Sequence, residues 1–299
     1  MRVFVTGASG FIGSRVVREL IVAGHKALGL TRSDNGAEAL AAAGAEVHRG
    51  SLEDLDSLKQ GAARTDGVIH LAFNHDFSKL AASCEDDRRA INALGSALAG
   101  SDRPLIVTSV TPMANTTPGQ PAKEDNATVG ADVIPRAASE EAAAAVAADG
   151  VNVSVVRLPQ VHDPVKQGLV TYAIEAYREK GACAYVGDGR NRWPAAYVLD
   201  AARLYRLAIE RAEPNAKYHA VAEEGVSMRD IAEATGRRLR LPVKSIAPEE
   251  AKAFFGWLAM FAAYDMPASS AQTRRKLGWE PTGPGLIADL DQLRLSDSR

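Results

Sequence analysis

The chain predicts a doubly wound α/β fold, a parallel sheet with helices on both faces, followed by a small C-terminal α/β lobe. Three observations predict it. The chain opens on the strand-forming run Val3-Phe4-Val5. Gly7, Gly10 and Gly13 follow at three-residue spacing, and Ile12, Val16, Val17, Leu20 and Ile21 then recur at helical spacing. Short β-branched runs alternate with helical patterns as far as Arg157, the order required by a parallel sheet with crossover helices. Finally, 299 residues, 46% of them apolar, are enough to bury a large core.

Strand, glycine turn and helix form the opening of a nucleotide-binding βαβ unit. Gly7 permits the tight turn, Gly10 lets the backbone approach a pyrophosphate, and Gly13 lets the helix close on the strand. The helix N-terminus then offers N–H groups and a positive dipole end to an anion. Ser9, Phe11 and Ile12 complete this cofactor-binding segment.

Composition narrows the classes. A net charge of −2 leaves no electrostatic footprint for nucleic acid. Cys84 and Cys183 have neither metal-ligand spacing nor disulfide density, so no metal is expected and the thiols fit a reducing cytoplasm. A first strand starting at Arg2 leaves no room for a signal peptide, and no apolar run is long enough for a bilayer. The expectation is a cytoplasmic protein acting on a small molecule, with no nucleic-acid or membrane partner.

The spacing T-G-x-x-G-x-x-G from Thr6 to Gly13, with Phe11 and Ile12 inside it, resembles the extended short-chain dehydrogenase/reductase family. That group includes sugar-nucleotide epimerases and dihydroflavonol reductases. The resemblance covers nearly the whole chain and implies a Rossmann sheet. It divides the chain into a cofactor-binding domain at 1–164 and a substrate-facing lobe at 165–299.

The remaining elements follow in order. Ala27 to Leu30 form a second strand that runs into Thr31-Arg32-Ser33. An acid at this strand end selects NAD, whereas an Arg accommodates the 2′-phosphate of NADP. A guanidinium takes a phosphate bidentately and a hydroxyl adds a donor, so Arg32 and Ser33 predict NADP. Glu38 to Ala43 are helical and Ala45 to His48 form a third strand. After it, Ser51-Leu52 stand where the family has D-L beside the adenine, with Ser51 replacing the usual Asp.

Val68-Ile69-His70-Leu71-Ala72 is the fourth strand and resembles the family's V-I-H-L-A-A, with Phe73 in place of the second Ala. The resemblance places Leu71, Ala72 and Phe73 beside the cofactor. His70 reads as a structural histidine bonding nearby backbone. Asp86 to Leu98 form a helix. Asp87 is either a helix-starting carboxylate near a positive dipole end or the counterpart of the family's Asn in a water relay.

Leu105 to Val107 form the fifth strand, ending at Thr108-Ser109-Val110-Thr111 where the family has T-S-S. Thr108 is assigned to the cofactor. Val110 takes the slot of the carbonyl-polarising Ser, while Ser109 and Thr111 share the opposite face as candidate hydroxyls.

The largest departure lies between Ile134 and Val146. By position, the family's Y-x-x-x-K becomes Arg136-Ala137-Ala138-Ser139-Glu140. Pro135 opens the helix and the alanines sustain it. An Arg cannot donate a proton near neutral pH, so the usual mechanism is absent or is run by other residues. Arg136 and Glu140, four apart, also suit an ordinary surface pair.

Val151 to Arg157 form a sixth strand. Arg157 to His162 resemble R-x-x-x-V-Y-G-P, which implies that Pro159 and Val161 flank the nicotinamide. His162 is either a general acid or a solvent-facing loop histidine. Beyond residue 165, Leu169 to Arg178 are helical and Ala184 to Gly187 are strand-like. Trp193 and Tyr197 are the candidate pocket aromatics, a Trp being also a good core filler, and Tyr197 is also a candidate proton donor. Asp200 is expected to cap the following helix.

Tyr218 to Val221 and Val243 to Ile246 form strands, and Ser227 caps a helix. The apolar helix from Pro248 to Phe261 suits core, an apolar substrate lid or a homodimer contact. The L-G-W-E-P tail resembles the family's closing signature. The expected activity is NADP-dependent carbonyl/alcohol hydride transfer on a small, moderately apolar substrate. The alternatives are an epimerase or dehydratase with tightly held cofactor, and a non-catalytic NADP-binding sensor.

Overall fold

The computed structural model describes residues 1–114 and 117–295. β1 (Arg2–Thr6), α1 (Phe11–Val22), β2 (Lys26–Thr31), α2 (Asp34–Ala42), β3 (Glu46–Arg49), α3 (Leu55–Ala63) and β4 (Gly67–His70) form the first half of the sheet. α4 (Leu80–Leu98), β5 (Leu105–Val110), α5 (Ala138–Ala148) and β6 (Val153–Leu158) form the second half. α3 adds a helix to those expected. Its short polar run starts from Asp54, whose side chain accepts from the Ser57 amide at 3.0 Å.

The C-terminal part contains β7 (Gln160–His162), α6 (Leu169–Lys180), β8 (Cys183–Val186), β9 (Arg192–Tyr197), α7 (Val198–Arg211), β10 (Lys217–His219), β11 (Glu223–Ser227), α8 (Met228–Leu239) and β12 (Val243–Ile246). Four short helices follow: α9 (Ala251–Phe255), α10 (Ala259–Ala262), α11 (Ala271–Leu277) and α12 (Leu286–Asp291).

Seven strands form one parallel sheet in the order β10-β6-β5-β4-β1-β2-β3. The order reverses between β1 and β4. A doubly wound sheet opens a ligand crevice at the carboxyl ends of such a pair. β10 joins this sheet and α7 covers it beside α1, so the chain crosses back over the 164/165 division before completing the lobe. The lobe has its own sheets, β11-β9-β7 and β12-β8.

One core cluster lies between the sheet and α1 and α7, a second lies under α3, α4 and α5, and a third fills the lobe. Trp193 is fully buried in the lobe core and its Nε1 donates to the Tyr264 carbonyl at 3.3 Å. Of its two readings, pocket aromatic and core filler, the first is corrected and the second holds: the inward face of β9 is core.

Three expectations about helices are corrected. α4 begins at Leu80, so Asp87 sits two turns into the helix and does not start it. Asp200 is not the cap of α7. It lies in the first turn, buried, and accepts from the Thr282 and Gly283 amides at 3.1 and 2.8 Å, which clamps the tail. The apolar segment from Pro248 is broken at Gly256, where φ is +57°, so Phe255 and Leu258 face the core while Trp257 and Met260 stay exposed. Cys84 and Cys183 are both free and buried. Among the described residues no helix is long and apolar enough to cross a membrane.

At the start of α1 a Cβ on Gly13 would lie 2.0 Å from the Gly7 carbonyl oxygen, which is backbone and cannot swing away. Gly13→Ala should therefore push the helix off the strand, destabilise the protein by about 1–3 kcal/mol and remove dinucleotide affinity. Urea unfolding and a cofactor titration check the two effects separately.

Candidate active site

The glycine turn is built for a ligand that approaches backbone. Gly7 has φ +66°, and a Cβ there would lie 2.9 Å from the Ala72 amide nitrogen. The turn is held by the Gly10 amide donating to the Gly7 carbonyl at 2.9 Å. Gly10 is the N-cap of α1 and supplies no side-chain cap, and the first turn of α1 carries no acid. The first N–H groups of a twelve-residue helix are thus left to an anion. Ser9 and Gly10 are exposed, and Phe11 and Ile12 are half-buried beside them. These residues fit the pyrophosphate of a dinucleotide.

The residues expected at the adenosine end lie past the ends of β2 and β3. Arg32 is exposed just past β2, and Ser33 caps α2 by accepting from the Gly36 amide at 3.1 Å. Asp34 is drawn into an ion pair with Arg49 at 2.5 Å. Ser51 donates to the Glu53 carboxylate, which this bond and the nearby Arg32 charge hold below the ordinary range. Leu52 is half-buried against the core next to it.

At the crevice, Thr6 and His70 are register partners across β1 and β4. The Thr6 hydroxyl oxygen accepts from the Leu71 and Ala72 amides at 3.1 and 3.2 Å, pinning that backbone beside Gly7. Its proton is therefore left for His70 Nδ1 at 2.8 Å. His70 is then the Nε2–H tautomer and donates to Asp87 Oδ1 at 2.9 Å. His70 thus bonds side chains, which corrects its assignment to backbone.

Asp87 Oδ2 accepts from Arg136 at 3.2 Å and from the Ser139 hydroxyl. Burial alone would raise the Asp87 carboxyl. The His70 bond and the Arg136 charge outweigh it and hold the carboxyl below the ordinary range. Arg136 also donates to the Thr108 carbonyl at 3.0 Å and lies 4.2 Å over the Phe73 ring. Thr108 in turn donates to the His70 carbonyl at 2.7 Å and accepts from the Tyr205 hydroxyl at 2.8 Å.

Arg136 and Glu140 do not pair with each other, which corrects the surface-pair reading. Glu140 is buried. Arg157 grips it with Nε and NH2 at 2.8 Å each, Thr128 donates at 2.6 Å, and Lys217 lies 3.6 Å away. Burial alone would raise its pKa, but the Arg157 bonds and charge bring it down to about 2. Arg157 also reaches His219 Nε2 at 3.3 Å, and His219 Nδ1 donates to the Ser269 carbonyl at 2.8 Å. Desolvation and the Arg157 charge push His219 down to about 4. No tyrosine in the chain has a lysine four residues later.

The other candidates divide by access. Ser109 is fully buried beside Glu140, and Thr111 is buried in a 3₁₀ turn after β5. His162 lies in β7, not in a solvent-facing loop. It is fully buried, with Nδ1 2.7 Å from Asp289 Oδ2 on α12 and an enclosed, unbonded Nε2. Tyr197 is half-buried, 6.2 Å from the His162 ring. Pro159 is half-buried and Val161 packs in the core.

Two neighbours carried no motif. Lys166 projects from the turn held by Asp163 and lies 5.9 Å over the Phe11 ring. His75 stands 5.3 Å from the Phe73 ring. Desolvation and the Arg136 and Lys166 charges hold His75 below the ordinary histidine range.

This is a dinucleotide-binding fold with its crevice at the switch between β1 and β4. Residues 3–222 match the model of the NAD dependent epimerase/dehydratase family, and the chain belongs to that family. An uncharacterized protein of Schizosaccharomyces pombe is 45% identical over 97% of this chain and 98% of its own length. A 2-alkyl-3-oxoalkanoate reductase of Stenotrophomonas maltophilia is 29% identical over 72% of this chain and 67% of its own. The dTDP-glucose 4,6-dehydratase of Streptomyces venezuelae, solved with NAD and TYD bound, shares the fold at TM-score 0.77 and 18% identity, covering 98% of this chain and 96% of that one. The superfamily comprises NAD(P)-dependent oxidoreductases, epimerases and dehydratases.

The buried Glu140 sets an acid limit. Its folded pKa lies below the unfolded value, so its stabilisation is complete above about pH 4.5 and is lost as pH falls toward 2. Glu140→Gln should remove that pH dependence and cost about 3–5 kcal/mol at neutral pH, because Arg157 is left uncompensated. Glu140→Lys should be worse, since it faces both Arg157 and Lys217. Urea titrations from pH 7 to pH 3 check both variants.

Proposed function

We propose that this protein is an NADP-dependent oxidoreductase that interconverts a carbonyl and an alcohol on a small, moderately apolar substrate without a Tyr-x-x-x-Lys pair. The observation that carries the reading is the position of Arg136. Its guanidinium, half-buried and anchored by Asp87 and the Thr108 carbonyl, belongs to the same bonded network as the Ala72 backbone that closes the glycine cradle. The relative named as a 2-alkyl-3-oxoalkanoate reductase supports an apolar carbonyl substrate.

Bound NADP, when reduced, supplies the hydride. Gly7 and Gly10 with the Phe11 and Ile12 amides would hold its pyrophosphate, Gly13 letting the helix close behind them, and Leu71, Ala72, Phe73 and Thr108 would line the path to the strand ends. Arg32 and Ser33 take the 2′-phosphate. In support, Asp34, the nearby acid able to favour a free 2′-hydroxyl, is occupied by Arg49. Arg136 stabilises the oxyanion that develops as the carbonyl is reduced, which needs donors and no proton transfer from the guanidinium. Tyr197, the partly accessible member of the four candidate donors, delivers the proton to that oxygen. Ser109, Thr111 and His162 are enclosed.

A second reading, a cofactor-binding sensor, is favoured by one observation: Glu140 is consumed by Arg157 and offers nothing to a ribose. Turnover separates the two.

NADPH should bind at least tenfold more tightly than NADH, a difference of about 1.4 kcal/mol, and Arg32→Ala should bring the ratio near one. Equal affinities in the wild type would sink the NADP assignment. Across a carbonyl panel followed at the nicotinamide absorbance, Tyr197→Phe should lower kcat about 100-fold. Full turnover in that variant removes Tyr197 as the donor, and binding without oxidation of NADPH by any carbonyl leaves the sensor.

A further inference from the structure

Lys166 stands on the turn that leads from β7 to α6, and its ammonium forms no hydrogen bond or ion pair among the described residues. The turn itself is closely held. Asp163 Oδ1 accepts from the Val165 and Lys166 amides at 2.8 and 2.9 Å, and the Asp163 amide donates to the Lys166 carbonyl at 2.8 Å. Gln167 Nε2 donates to the Asp163 carbonyl at 2.8 Å. From this fixed backbone the exposed Lys166 side chain reaches toward the glycine turn, where Nζ lies 5.9 Å from the centre of the Phe11 ring.

A second contact holds the approach. Arg15, one turn further along α1, lies 5.4 Å over the same ring and donates to Asp163 Oδ2 at 3.4 Å. Asp163 thereby ties its own turn to α1. The two cations beside Phe11 differ in what they have left to give. Arg15 directs one terminal nitrogen to the Ser14 hydroxyl and the other to Asp163. Asp163 is spent on Arg15 and on two amides. Counting Arg15, Lys166 and Asp163, the group carries one net positive charge, and Lys166 is the member with no anion. Phe11 is also the first residue of α1, so the ring beside the ammonium belongs to the residue whose N–H opens the helix. Helix amides with a lysine point charge at their edge suit a phosphate group.

Resting on dinucleotide binding at the glycine turn, we propose that Lys166 is a cofactor-binding residue. Its ammonium takes the pyrophosphate that the Phe11 and Ile12 amides hold, and the turn after β7 closes the site from the side of the lobe. The contact needs neither the 2′-phosphate nor turnover, so it serves NADPH and NADH alike, in an enzyme or in a sensor. Because β7 pairs with β9 of the lobe sheet, the bound cofactor then joins the main sheet to the lobe.

The test is a calorimetric titration of the full chain with NADPH, NADH and ADP, the last carrying the diphosphate without the nicotinamide. Lys166→Gln should weaken all three by about five- to tenfold, the loss of one charge-assisted contact. Lys166→Arg, which keeps the charge, should stay within about threefold of the wild type. A footprint gives a second readout. Saturating NADPH or NADH should protect Lys166 from acetylation by acetic anhydride, read by mass spectrometry, and leave the exposed Lys252 on α9 reactive. Unchanged affinities in Lys166→Gln, weaker dinucleotides with unchanged ADP, or undiminished acetylation of Lys166 in the saturated protein each overturn the proposal. Equal affinities for NADPH and NADH count against the NADP assignment alone, and binding without turnover against the oxidoreductase alone. A wild type that binds none of the three probes overturns both readings.

Discussion

The bond between Thr6 and His70 is the constraint on which this side of the molecule depends. The two residues are neighbours in register at the point where the sheet changes direction. Thr6 has one proton and two lone pairs, and two backbone amides take the lone pairs. The orientation of His70 follows, and its Nε2 proton is aimed at Asp87. Asp87 can then be an ionised carboxylate inside the protein because every neighbour is a donor. Arg136 is one of those donors and also bonds the Thr108 carbonyl at the end of β5.

The exchange of charge along the start of α5 is a matched set of changes. A buried carboxylate at 140 is costly unless it is fully bonded, and Glu140 is met by Arg157 from β6, Thr128 from the preceding loop and Lys217 from β10. These partners tie the edge of the sheet to α5 and, through His219, to the segment before α11. The position thus works as a structural lock. The charge that would bind a ribose or tune a phenol has turned inward.

The lobe meets the segment after β4 through aromatic contacts. Phe77, Tyr172 and Trp257 come from three separate segments and meet face or edge. The break at Gly256 matters here. A continuous helix would carry its apolar stripe into the core, whereas the break turns Trp257 outward while Phe255 and Leu258 remain inside.

Much of the fold was readable along the chain, because its determinants are local. Glycine spacing, strand alternation, the Ser227 cap and the span of β12 depend on near neighbours, and the family follows from the same patterns. The fates of His70, Asp87, Glu140, Trp193 and His162 did not follow, since each depends on a partner many residues away. Asp87 reads as a helix-starting acid until α4 is seen to begin at Leu80 and His70 and Arg136 are seen beside it. Glu140 reads as a surface charge until Arg157 arrives from the next strand, and His162 as a loop residue until Asp289 closes over it. Periodicity says which face a residue takes. Whether that face meets water, core or an opposite charge is decided only when the sheet brings its strand ends together.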